Sequence, residues 1–183
     1  MSYAKSCGVF AALIVFSLSN APVWAAGSHD GGHGHSGGAH GVAGAVSDVT
    51  RTVEITMYDN YYEPEEIEIK EGETVRFVVT NGGVAVHEFA IATADMHLGH
   101  QPEMAMMVEH GVIDFDRIDW DAAAAMQQSM GHGMHDEPNS ILLEPGQTGE
   151  IIWQFPEHAE LEFACNIPGH YGSGMVGDIR LSH

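Results

Sequence analysis

Thiol and positive charge are both scarce in this chain. Of its 183 residues only two are cysteine, Cys7 and Cys165. Cys7 falls in "MSYAKSCGVFAALIVFSLSNAPVWAAG", where Lys5 precedes a short apolar run and "VWA" offers a cleavage point for signal peptidase. That is the pattern of an export signal over residues 1–25, too short in its apolar run for a membrane span, and it predicts a periplasmic protein. Its removal leaves Cys165 as the lone thiol. An internal disulfide is then excluded, and an unpaired cysteine in an oxidising compartment must be buried or bound to something. Basic residues number six against 26 acidic ones, a formal net charge of −20. Such a field rejects nucleic acid and anionic membrane and favours small cations and a basic partner protein. No later stretch is long and apolar enough to span a bilayer. Also missing are an internal repeat, a phosphate-binding glycine loop, a Ser-His-Asp set and paired catalytic carboxylates, so no enzyme is expected.

What is present falls into segments. Residues 26–50 are Gly-rich, carry His29, His33, His35 and His40, and show no apolar periodicity. They are expected to be a disordered tail, since such a composition buries too little surface to offset chain entropy, and His-rich tracts can bind metal. From Arg51 the pattern turns to strands: "TVEITMY", then "PEEIEIKEGETVRFVVTN" as two strands joined at Glu71-Gly72, then "VAVHEFAIA". Further on, "SILLEPGQTGEIIWQF" gives two strands about Pro145-Gly146, followed by "AELEFAC" and "VGDIRLS". Six to eight short strands with Pro/Gly turns predict an all-β domain over 51–183, an antiparallel Greek-key β-sandwich. Residues 94–139 interrupt it as a helical Met/His-rich insertion. Pro102 suits the first turn of one helix ending near Gly111, and Asp119 or Asp121 suits the N-cap of a second, stopped by Gly131.

The surviving cysteine stands in "CNIPGHYGSGM", where Cys165, His170 and Met175 are evenly spaced. A copper ion that shuttles between Cu(I) and Cu(II) is suited by a His₂Cys plane with a weak axial Met. This loop offers three of those four donors. Pro168 and Gly169 would bend it back, and Gly172 and Gly174 would relieve Cβ crowding before Met175. The fourth donor is expected from an upstream strand. His87 qualifies, interrupting an apolar strand end just after Gly82-Gly83.

On these motifs the chain resembles the type 1 (blue or green) copper proteins, the cupredoxins, over residues 51–93 and 140–183. The resemblance implies copper as cofactor and His87, Cys165, His170 and Met175 as two imidazoles, thiolate and axial thioether. Glu88 departs from the family pattern, in which Asn, Asp or Ser often follows the upstream histidine and ties the two ligand loops together. A narrower resemblance is to periplasmic copper-tolerance cupredoxins of the CopI type, which also have a His-rich N-terminal region and a Met/His-rich insertion. It implies a role in copper tolerance by binding and redox cycling of copper. The alternative is a soluble electron carrier of the plastocyanin or rusticyanin kind. Met104 and Met107 fit an apolar helix face as well as a ligand role, whereas Met126 and Met130, one helical turn apart, and "HGMH" (His132, Met134, His135) are candidate accessory copper ligands.

Overall fold

The computed structural model describes residues 38–130 and 137–183. The expected export signal, the histidines His29, His33 and His35, the stop at Gly131 and the candidate ligands His132, Met134 and His135 lie outside the described residues.

Among the described residues ten strands form two five-stranded sheets packed as a sandwich. One sheet runs β1 (Val42–Ala43), β8 (Thr148–Gln154), β5 (Thr74–Asn81), β2 (Arg51–Tyr58), β3 (Tyr61–Glu63). The other runs β4 (Glu66–Lys70), β10 (Val176–Ser182), β9 (Leu161–Ala164), β6 (His87–Ala92), β7 (Ser140–Leu143). Alternation dictates which faces meet: Ile67 and Ile69 on β4 and Val75, Phe77 and Val79 on β5 all point inward and are buried. Tyr62, Phe77, Phe89, Phe163 and Trp153 fill the interior and are fully buried or nearly so, each contributing about 1.5–3 kcal/mol by leaving water.

The sandwich is not wholly antiparallel. β2 runs parallel to β5, and β10 parallel to β4. Glu71-Gly72 joins strands of different sheets: the chain leaves the first sheet after β3, crosses to the second as β4, and returns as β5 beside β2. β3 runs antiparallel to β2, so the excursion through β4 must reverse the chain once more, and β5 comes back parallel to β2.

The stretch 26–50, expected to be disordered, is ordered at its far end. Val42 and Ala43 pair with Gln154 and Trp153, and His40 stacks on the Trp153 indole with ring centroids 5.3 Å apart. The Trp153 Nε1–H donates to the His40 carbonyl at 2.9 Å. A buried tryptophan edge supplies the partner that composition alone does not reveal.

The described residues of the insertion include two helices, α1 (Ala94–Glu109) and α2 (Trp120–Met130). α1 starts eight residues earlier than Pro102 suggests. Thr93 caps it, accepting from the Met96 amide at 3.3 Å, and Pro102 sits inside. Burial of His97, Met104 and Met107 against the core outweighs the backbone bond the proline forfeits. Between the two N-cap candidates of α2 the structure selects Asp119, whose carboxylate accepts from the Ala122 amide at 2.9 Å. β6 is buried along its whole length. His87, Phe89 and Ile91 alternate with Glu88, Ala90 and Ala92 on its two faces, and His100 of α1 reaches Glu88 on the second.

Candidate metal centre

Register brings the expected ligands to one end of the sandwich. β9 lies between β6 and β10, with Ala164 opposite both Ala90 and Val176. The start of β6, the end of β9 and the start of β10 are therefore neighbours, which places His87, Cys165 and Met175 close together. The loop between Cys165 and Met175 closes on itself: the Cys165 amide donates to the Met175 carbonyl at 3.2 Å, and the Met175 amide to the His170 carbonyl at 3.0 Å. Gly169 and Gly174 hold φ of 91° and 95°, backbone that glycine adopts without strain. The expected crowding is not the reason for these glycines, because a Cβ at Gly172 or Gly174 would meet nothing within 4 Å.

His87 Nδ1 lies 3.3 Å from His170 Nδ1, which in turn lies 3.3 Å from Cys165 Sγ. Donors bonded to one ion at ~2.0–2.3 Å in a trigonal plane stand about 3.5 Å apart, so these three fit a shared metal. Cys165 and Met175 are fully buried, His87 nearly so, and the His170 ring is half-buried. Imidazole, thiolate and thioether together are the donor set that suits copper in both oxidation states.

Side chains that the sequence did not single out orient these donors. Asp59, in the turn between β2 and β3, lies 3.0 Å from His87 Nε2 and accepts from the Val84 amide at 3.1 Å. The hydrogen bond to His87 holds its carboxyl below the usual range. With Nε2–H directed at Asp59, Nδ1 carries the lone pair that faces the other donors. A side chain at Gly83 would not fit, since a Cβ there would stand 2.6 Å from Asp59 Oδ1 and 2.8 Å from His87 Nε2. Asn81 shapes the same turn: its Nδ2 donates to the Ala85 and Leu143 carbonyls, both at 2.8 Å, and its Oδ1 accepts from the Gly83 amide at 2.9 Å. Burial pushes the Cys165 thiol up to about 12, with the Glu88 carboxylate adding to the shift. The thiol therefore keeps its proton at neutral pH until a metal displaces it. Burial, and then the neighbouring His87, lower the His170 pKa, which favours the neutral imidazole a metal requires.

The chain matches the profile of a cupredoxin-like domain over residues 13–114. It is 42% identical over 156 residues to the copper-resistant cuproprotein CopI of Pseudomonas aeruginosa, an alignment covering 79% of this chain and 83% of that one. To the protein of the same name from Rubrivivax gelatinosus it is 35% identical, over 83% of this chain and 79% of that one. The chain is a cupredoxin. Its fold is also that of reduced auracyanin from Roseiflexus castenholzii, with a TM-score of 0.51 at 19% identity, covering 74% of this chain and 99% of that one.

In this cupredoxin Glu88 ties the two ligand-bearing segments together. Its backbone amide donates to Cys165 Sγ at 3.3 Å. Its carboxylate accepts from the Asn166 amide at 3.0 Å, from Asn166 Nδ2 at 2.9 Å and from the Ser140 hydroxyl at 2.7 Å, and lies 3.5 Å from His100 Nε2. Burial alone would raise the pKa of Glu88, but the bonds from His100, Ser140 and Asn166 outweigh it and the carboxyl falls below its usual value. One residue thus binds the His87 strand to the Cys165 loop and both to the insertion.

The insertion's thioethers are divided. Met104, Met107 and Met126 belong to the buried core, whereas Met130 is 43% exposed. Met126 and Met130 stand one turn apart on α2, as expected, but only Met126 is buried against the core.

Proposed function

We propose that this cupredoxin is a periplasmic copper-binding protein of bacterial copper tolerance. In this reading His87, Cys165, His170 and Met175 hold one type 1 copper that cycles between Cu(I) and Cu(II), and the protein is not an enzyme. The observation that carries it is the convergence of His87, Cys165 and His170 at 3.3 Å spacings in a chain whose relatives are named for copper resistance. Met175 is assigned from the bond its carbonyl accepts from the Cys165 amide and from its complete burial. The apolar N-terminal stretch supports export, and among the described residues no helix is long and apolar enough to cross a membrane. When bound, copper supplies one-electron redox chemistry in a ligand set that suits both states. The chain's own part is to hold the donors in place, keep water from Cys165 and Met175, and release the thiol proton on loading.

A second reading, a soluble electron carrier, has one observation in its favour. Val84 and Phe115 are 63% and 65% exposed beside the His87 turn, where the Val86 amide donates to the Phe115 carbonyl at 2.7 Å, an apolar surface on which a redox partner could dock. Titration of the exported protein with Cu(I) and Cu(II) separates the two. Under the tolerance reading the thiolate-to-copper visible absorption saturates at one equivalent while further equivalents still bind tightly. Colour and binding that both end at one equivalent would favour the carrier, and no intense visible band would remove the type 1 centre.

A further inference from the structure

A second convergence of metal-binding side chains lies at the opposite end of the sandwich. β10 carries the chain from Met175 at the copper centre to His183, a span of about 26 Å at ~3.3 Å per residue. There Glu71, at the corner between β4 and β5, is bound to the end of β10 by its amide, which donates to the Ser182 carbonyl at 2.9 Å. His158 arrives from the β8–β9 connection, and its backbone amide donates to Glu71 Oε1 at 2.9 Å. His158 Nδ1 lies 3.1 Å from Glu71 Oε1, and His183 Nδ1 lies 2.8 Å from Glu71 Oε2. The two imidazole rings stand edge to face with centroids 5.5 Å apart. One ligand atom from each residue falls within 4.8 Å of the other two.

Donors held at ~2.1 Å around one ion lie about 3.0–3.4 Å apart in octahedral or tetrahedral geometry, so the spacing suits a shared cation as well as direct hydrogen bonds. Glu71 is largely covered, at 13% exposure, and is ionised: the His158 amide, then the two imidazoles, hold its carboxyl below the usual range. Both histidine side chains are more than 70% exposed, which leaves the outer coordination positions to water. Two imidazoles and one carboxylate favour a borderline divalent first-row ion over the all-oxygen preference of Ca²⁺ or Mg²⁺. With no thiolate or thioether, the trio does not suit Cu(I).

We propose that Glu71, His158 and His183 form a second, surface metal site that takes a divalent first-row ion, with Cu(II) bound more tightly than Ni(II) or Zn(II). The order follows the general stability series for such ligands. The site shares no residue with the type 1 centre, so it stands or falls independently of the function proposed above.

Ni(II) added to the Cu(I)-loaded protein tests it, because Ni(II) is paramagnetic while the reduced copper centre is diamagnetic. Substoichiometric Ni(II) is expected to broaden the backbone amide signals of residues 71–73, 157–159 and 182–183 selectively. In a His158→Ala/His183→Ala double variant the Ni(II) affinity read from those signals should fall by more than the roughly 10–100-fold that loss of an outer-shell partner costs. The variant's unchanged visible band, once copper-loaded and oxidised, would show that the fold is intact. If those amides stay sharp while only the His-rich segment before β1 broadens, or if the double variant responds like the parent, the trio is a hydrogen-bonded cluster only and the proposal is overturned.

Discussion

The Cys165–Met175 loop and the 94–139 insertion are both rich in soft ligands, yet they use them in opposite ways. The loop directs its thiol and imidazole at one point, with His87 completing a set whose nitrogen and sulfur atoms stand 3.3 Å apart. The insertion spends Met104, Met107 and Met126 on the core and His97 and His100 on hydrogen bonds to Asn166 and Glu88. Residue type is shared between the two; geometry is not. Tight turns and strand register turn ligand-type residues into a centre, while a helix face turns the same residues into packing. The two regions still meet, through Glu88.

Removing the thiol should give the largest effect. Cys165→Ser is expected to abolish the thiolate-to-copper visible absorption while far-UV circular dichroism and cooperative unfolding persist, because the core is held by aromatic and aliphatic burial rather than by metal. A variant that kept the band would erase the distinction between the loop and the insertion.

Glu88→Ala comes next, since it strikes the junction. It would leave the Asn166 amide, the Ser140 hydroxyl and His100 without their buried acceptor, at a cost of about 3 kcal/mol or more in denaturant unfolding. Glu88→Gln should recover part of that, keeping the hydrogen bonds and losing the charge. The same pair sets a pH window. Burial would lower His100, but its bonds to Glu103 and Glu88, with the field of Glu137, raise it to about 10. Its contribution is therefore complete below about pH 6.5, its unfolded value, and is lost as pH rises through 10. Glu88, lowered in the folded state, contributes above its unfolded value near 4.5 and loses that contribution as pH falls through its folded pKa. His100→Gln should flatten the alkaline decline of stability between pH 6.5 and 10. A parent-like decline in that variant would mean that the insertion does not couple to Glu88 by charge.

Met104→Ala tests the packing half of the comparison. Met104 is fully buried, so truncation should cost about 2–5 kcal/mol while the copper band and stoichiometry stay unchanged. Loss of bound copper without loss of stability would make it a ligand after all.

The sandwich and two of the converging donors, Cys165 and His170, were legible because their signals are local. Alternation marks β2, β4 and β5, and the Cys-His-Met spacing lies within one loop. What escaped depends on distant segments meeting. β1 exists only because Trp153 offers an indole edge to His40, and α1 extends upstream of Pro102 because Thr93 caps it and His97 is buried against Asn166. Asp59 looks like an ordinary turn residue until the β2–β3 turn is seen beside His87. Glu88 was visible as a departure from the family pattern, but its role was not, since its partners Ser140, His100 and Asn166 come from three separate segments. The His158–His183 pair gave no sign in the sequence, because only the Glu71 corner brings those residues together.

Met130 is the smallest probe and the one that sharpens the comparison most. Met126 and Met130 stand one helical turn apart, yet the first is 4% exposed and the second 43%. Met126→Ala should therefore destabilise in the range of a core truncation, whereas Met130→Ala should fall within about 0.5 kcal/mol of the parent. If the insertion only packs, Met130→Ala also leaves Cu(I) stoichiometry unchanged. If the candidate accessory ligands Met126, Met130, His132, Met134 and His135 do hold copper, the Met130→Ala variant loses or weakens a Cu(I) equivalent with no change in stability or in the visible band. That dissociation of stoichiometry from stability would show a ligand that does no packing, and would place one of the insertion's thioethers with the loop.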